Sequence, residues 1–76
     1  MNTQEKGNYF GELLNGLRTN REMTLRDLEE KTGITMSYIQ RLETGKNQPS
    51  LRVLEQLADV LNVNPSIWFK KHTKKF

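Results

Sequence analysis

Five side chains that share one arc of a helix fall within nine positions, Met36, Ser37, Gln40, Arg41 and Thr44, and the first four can meet the edges of nucleic-acid bases. A helix turns about 100° per residue. With Met36 set at zero, Gln40 lies near ~40°, Thr44 near ~80°, Ser37 near ~100° and Arg41 near ~140°. Thr35, Ile39 and Leu42 cluster between about 240° and 300° on the same wheel. One arc is therefore buried and the other faces outward. The outward arc offers the chemistry of a DNA major groove. Arg41 can pair with guanine O6 and N7, and Gln40 with adenine N6 and N7. Met36 can touch a thymine methyl, and Ser37 can bond several base edges or a phosphate. The arc holds no Asp or Glu, which phosphates would repel. Tyr38, near ~200°, lies between the arcs. It is expected to pack its ring at the helix edge and offer its hydroxyl to a phosphate. A solvated helix face would show a similar polar arc, so spacing alone leaves both readings open.

The elements that must position this arc are helical, and the chain contains no good strand. The first helix is expected over Tyr9 to Arg21, with Asn8 as N-cap and an apolar stripe of Phe10, Leu13, Leu14 and Leu17. The second covers Thr24 to Thr32. Thr24 and Asp27 form a capping-box pattern at its start, Leu25 and Leu28 face inward, and Gly33 stops it. The third covers Thr35 to Glu43, capped by Thr35 and ended by Gly45. The fourth is capped by Ser50 and runs to Leu61, with Leu51, Leu54, Leu57, Ala58 and Leu61 inward. Asn64 caps a short fifth helix with Pro65 at its first position. Ile67, Trp68 and Phe69 follow and cannot all point inward.

The bulk composition sets limits. A 76-residue chain is expected to form one domain. That domain covers 9–69, between a flexible N-terminus, 1–8, and a basic tail, 70–76. It has no cysteine, which excludes disulfides and thiolate metal sites. The single histidine, His72, stands in a lysine-rich segment without partner ligands, so no metal or other cofactor is expected. No apolar run approaches the roughly 20 residues of a membrane span. The stretch Met1 to Asn8 lacks the apolar core of a signal peptide, which points to the cytoplasm. The net charge of +3 misleads. Residues 1–69 carry eight Lys or Arg and nine Asp or Glu, a net of −1. Lys70, Lys71, Lys74 and Lys75 supply the basic balance. Asp27, Glu29 and Glu30 read as a solvated face, and no nucleophile–base pair marks an enzyme.

A short capped helix, a Gly33-Ile34-Thr35 turn and a second capped helix make a helix-turn-helix pattern. The text Phe10-Gly11, Leu14, Leu17-Arg18, Met23-Thr24-Leu25-Arg26-Asp27-Leu28 and Lys31-Thr32-Gly33-Ile34-Thr35 resembles the phage-repressor and Cro type of helix-turn-helix. This is the xenobiotic-response-element (XRE) family. The likeness continues through Tyr38-Ile39-Gln40-Arg41-Leu42-Glu43-Thr44-Gly45-Lys46 and Pro49-Ser50-Leu51, then Leu54, Leu57-Ala58 and Leu61.

The resemblance implies an all-α, lambda-repressor-like domain of five helices that binds double-stranded DNA. Base readout falls on Met36, Ser37 and Arg41, with Gln40 beside them. Backbone contacts are implied for Thr24, Arg26, Thr35, Lys46, Asn47 and Arg52, and a structural ion pair for Arg18 and Glu43. Three positions depart from the family pattern. Leu25 replaces a contact-making glutamine, Glu29 an alanine and Thr32 an apolar residue. Glu29 is expected to pair with Arg26. The expected function is a sequence-specific transcriptional regulator, a repressor acting as a homodimer, with no small-molecule effector evident. The alternative is a protein-interaction module on the same fold, an antitoxin or adaptor.

Overall fold

The computed structural model describes residues 8–69. The expectations for the N-terminus and the basic tail, His72 included, otherwise lie outside the described residues. Four α-helices run α1 Tyr9–Asn20, α2 Leu25–Thr32, α3 Met36–Glu43 and α4 Leu51–Leu61. A 3-10 turn, Pro65–Phe69, follows. The described residues contain no strand.

Three helix starts are set by hydroxyl caps, which satisfy amides that have no partner within the helix. Thr24 Oγ1 accepts from the Asp27 amide at 3.0 Å while Asp27 Oδ2 accepts from the Thr24 amide at 2.8 Å. Thr35 Oγ1 accepts from the Tyr38 amide at 3.2 Å, and Ser50 Oγ from the Val53 amide at 3.2 Å. The bond from the Thr24 amide, helped by the Thr24 side chain, holds the Asp27 carboxyl below its ordinary pKa, because a proton donated to the carboxylate favours the charged form. Gly33, at φ 82°, ends α2 in the left-handed region, where a side chain would be strained. Thr32 gains a reason here. Its hydroxyl donates to the Leu28 carbonyl at 2.7 Å and accepts from the Ile34 amide at 3.0 Å. A polar side chain thus closes the turn between α2 and α3.

The core is built from every element. Leu14, Leu28, Ile39, Leu42, Leu54, Leu57, Ala58, Leu61 and Trp68 are buried. Trp68 seals it from the 3-10 turn. Its indole N–H donates to the Leu54 carbonyl at 2.9 Å. Its ring meets Phe10 edge-on, with centroids 4.9 Å apart.

Four expectations are corrected. The fifth helix is a 3-10 turn. Asn64 Oδ1 accepts from the Ser66 amide at 2.9 Å, and the Ile67 amide donates to the Asn64 carbonyl three residues back at 2.9 Å, the spacing of a 3-10 turn. Leu51 is 65% exposed: it is the first residue of α4, and burial in that helix begins one turn later, at Leu54. Asn8 makes no side-chain cap to α1, since its backbone is not extended. Its Nδ2 reaches Glu12 Oε2 at 3.4 Å. Arg26 and Glu29 form no ion pair; Arg26 is exposed while Glu29 is half-buried.

α1 crosses the C-terminal end of α3, and two features hold it there. Gly11 brings the backbones together. A Cβ added to Gly11 would lie 2.5 Å from both the Leu42 and Glu43 carbonyl oxygens. The second feature is charged. Arg18 Nε donates to Glu43 Oε2 at 2.7 Å and Arg18 Nη2 to Glu43 Oε1 at 3.1 Å. Asn15 Nδ2 adds a bond to Glu43 Oε1 at 3.0 Å. Arg18 Nη1 also donates to the Met23 carbonyl at 2.8 Å. The side chains are only 12% and 7% exposed, so the forked geometry operates away from water. The hydrogen bond to Glu43 raises the Arg18 pKa above its ordinary value, against the opposing effect of burial.

Breaking this pair from one side leaves a desolvated charge. Glu43→Ala is expected to cost about 3 kcal/mol in urea unfolding, and the double replacement Arg18→Met with Glu43→Leu to recover most of it. Trp68→Ala is expected to cost about 3–5 kcal/mol. Phe69→Ala should stay within about 0.5 kcal/mol, because Phe69 is exposed. Asp27 gives a pH signature. Its folded pKa lies below its unfolded one, so its contribution is complete above the ordinary carboxylate range and lost as pH falls through the folded value. Asp27→Asn should flatten the acid side of a stability-against-pH curve.

Candidate nucleic-acid interface

α3 is eight residues long and its two sides do different work. Ile39 and Leu42 are buried against the other helices. Ser37, Gln40 and Arg41 are exposed, with Thr44 just beyond the helix end. These four and Lys46 line one concavity of about 350 Å³. They follow the spacing of successive helical turns, which puts them on one face. Two cations, Arg41 and Lys46, stand with two hydroxyls and an amide, and no acid shares the lining.

Local backbone explains why Lys46 joins this group. Thr44 caps α3 and Gly45 takes φ 83°. The chain then folds back, so that the Lys46 and Asn47 amides both donate to the Arg41 carbonyl, at 2.8 and 3.2 Å. A residue five positions after Arg41 is thereby held beside it. A Cβ on Gly45 would also lie 2.8 Å from Asn8 Oδ1, so the start of α1 packs against the same turn.

Ser37, Gln40, Arg41 and Lys46 are brought together. Met36 is half-buried and does not line the concavity; it occupies the neighbouring edge of α3. Tyr38 is half-buried and packs against the core. Thr24 and Thr35 stand exposed at the N-termini of α2 and α3, and Arg26 is exposed in the first turn of α2. Asn47 is half-buried in the loop after α3, and Arg52 is exposed in the first turn of α4. Helix N-termini of this kind present free N–H groups and attract anions.

The sequence assignment of base-reading residues left out Thr44. The wheel placed it near ~80°, in the centre of the arc. Its place beyond the last helical residue hid its membership. Leu25, in place of a polar residue, is half-buried against the core and adds nothing polar to this face. Among the described residues no group of three His, Cys, Asp or Glu could hold a metal ion. No helix of the described residues is long and apolar enough to cross a membrane.

This geometry has relatives. Residues 16–68 match the helix-turn-helix domain family. An uncharacterized HTH-type transcriptional regulator of Mycobacterium tuberculosis, found in each of two strains, is 29% identical over 59 residues. That alignment covers 78% of this chain and 42% of the relative. An uncharacterized HTH-type transcriptional regulator of Sinorhizobium fredii is 32% identical over 62 residues, covering 82% of this chain and 43% of that protein. The chain spans about two fifths of the length of these curated relatives. With the match extending over more than half of its residues, the chain belongs to the XRE-type helix-turn-helix family.

Proposed function

We propose that this chain is a sequence-specific DNA-binding transcriptional regulator that lays α3 in the major groove and represses by occupying its site as a homodimer. The observation that carries the reading is the acid-free concavity lined by Ser37, Gln40, Arg41, Thr44 and Lys46. Family membership and relatives named as HTH-type transcriptional regulators support it.

The roles divide by reach. Met36, Ser37, Gln40 and Arg41 read base edges, with Arg41 directed to guanine and Gln40 to adenine. Thr24, Arg26, Thr35, Tyr38, Lys46, Asn47 and Arg52 meet phosphates. Such contacts fix register and carry no sequence information themselves. The N-cap hydroxyl of Thr35 suits that work: it accepts from its own helix and keeps a proton to donate. For the homodimer, Phe69 and Leu51 are the exposed large apolar side chains among the described residues. A two-fold dimer reads half-sites about 34–36 Å apart, or multiples of that distance.

Selection of bound duplexes from a random DNA pool, followed by affinity measurements on single variants, tests the reading. Arg41→Ala is expected to cost about 1–3 kcal/mol and relax preference at one base pair. Lys46→Ala should weaken all duplexes alike and reduce the salt slope by about 1. Wild-type affinity and selectivity in Arg41→Ala would show that this arc does not read bases.

A further inference from the structure

We infer that Thr44 reads the C5-methyl group of a thymine through its own methyl group. The inference rests on the major-groove reading above and adds a specificity residue to it.

Thr44 is exposed and lines the concavity with Ser37, Gln40, Arg41 and Lys46. Its hydroxyl is already committed. Thr44 Oγ1 donates to the Gln40 carbonyl at 3.1 Å and lies 3.4 Å from the Arg41 carbonyl. A threonine whose hydroxyl proton is spent on the preceding helical turn has no donor left for a base edge, and what it adds to the face is its γ-methyl. The donor that the residue type suggests is therefore withdrawn, and an apolar contact takes its place.

The surroundings make that contact selective. Gln40 and Arg41 flank Thr44 on the same face and supply polar readout. A methyl group among polar side chains discriminates where water would otherwise remain against it. In the major groove, the methyl at C5 of thymine is the apolar feature that the bases offer, and a threonine methyl is a suitable partner for it. The backbone holds the position firmly, since the Thr44 amide donates to the Gln40 carbonyl at 3.0 Å and Gly45 turns the chain immediately after it.

The test uses the full chain and the duplex recovered by selection, with each thymine replaced in turn by deoxyuridine. That change removes one methyl and leaves the pairing edges intact. One position is expected to lose about fourfold in affinity, the worth of one buried methyl group. Thr44→Ser keeps the hydroxyl and its bonds but lacks the methyl; it should bind the thymine and uracil duplexes equally at that position. Thr44→Val keeps a methyl and should retain the discrimination. The inference is overturned if uracil is tolerated at every position, or if Thr44→Ser still discriminates as the wild type does. A duplex that is bound selectively, and through Arg41, while showing either result would leave the groove reading intact and remove only the role of Thr44. Failure to enrich any duplex would overturn both.

Discussion

The carboxylate of Glu43 ends α3 at the place where a helix least favours negative charge. The carbonyl ends of the helix dipole gather there, and an acid adds to them. Its stability at that place depends on what α1 brings. Arg18 grips both carboxylate oxygens, Asn15 adds a third bond, and Gly11 lets the two backbones meet with no side chain between them. Arg18 reaches one element further, to the Met23 carbonyl in the connection before α2. The pose of the outward arc thus rests on one guanidinium that joins α1, the connection and α3.

The other end of α3 is governed locally. Gly33 takes the left-handed backbone, Thr32 bridges the end of α2 to Ile34, and Thr35 caps the new helix. The two ends illustrate different physics. At the N-terminus, neighbours in sequence satisfy backbone groups one by one. At the C-terminus, a residue 25 positions away supplies the charge. Between them, Ile39 and Leu42 are buried and hold the helix against α1 and α2.

Legibility in the sequence follows the same division. Caps and stops at Thr24, Gly33, Thr35 and Ser50 are short-range signals, and periodicity over a few residues reveals them. The buried stripe of α4 was legible from Leu54 onward for the same reason. Leu51 was not, because a helical wheel gives direction but not how far the neighbouring elements extend. Asn8 shows the same limit: its residue type suits a cap, but its backbone is not extended and its Oδ1 lies beside Gly11 and Gly45. The 3-10 form of the last element depends on where Trp68 is anchored, a tertiary fact. Of the candidate interface, the α3 arc was legible from spacing. The placement of Lys46 was not, because it needs the reversal at Gly45 and the shared Arg41 carbonyl. Met36 fell on the arc by angle but lies at its edge in space.

Among the described residues, the side chains of Ser37, Gln40 and Arg41 form no hydrogen bond, whereas Arg18, Glu43, Thr32 and Thr35 are all engaged. The residues that hold the fold are therefore different from those that face outward. Evolution can rewrite Ser37, Gln40 and Arg41 without disturbing the framework that displays them. Divergence in what such a chain recognises need not pass through unstable intermediates. A fold partitioned in this way is suited to gene duplication followed by drift, because a new preference can arise while the scaffold stays the same.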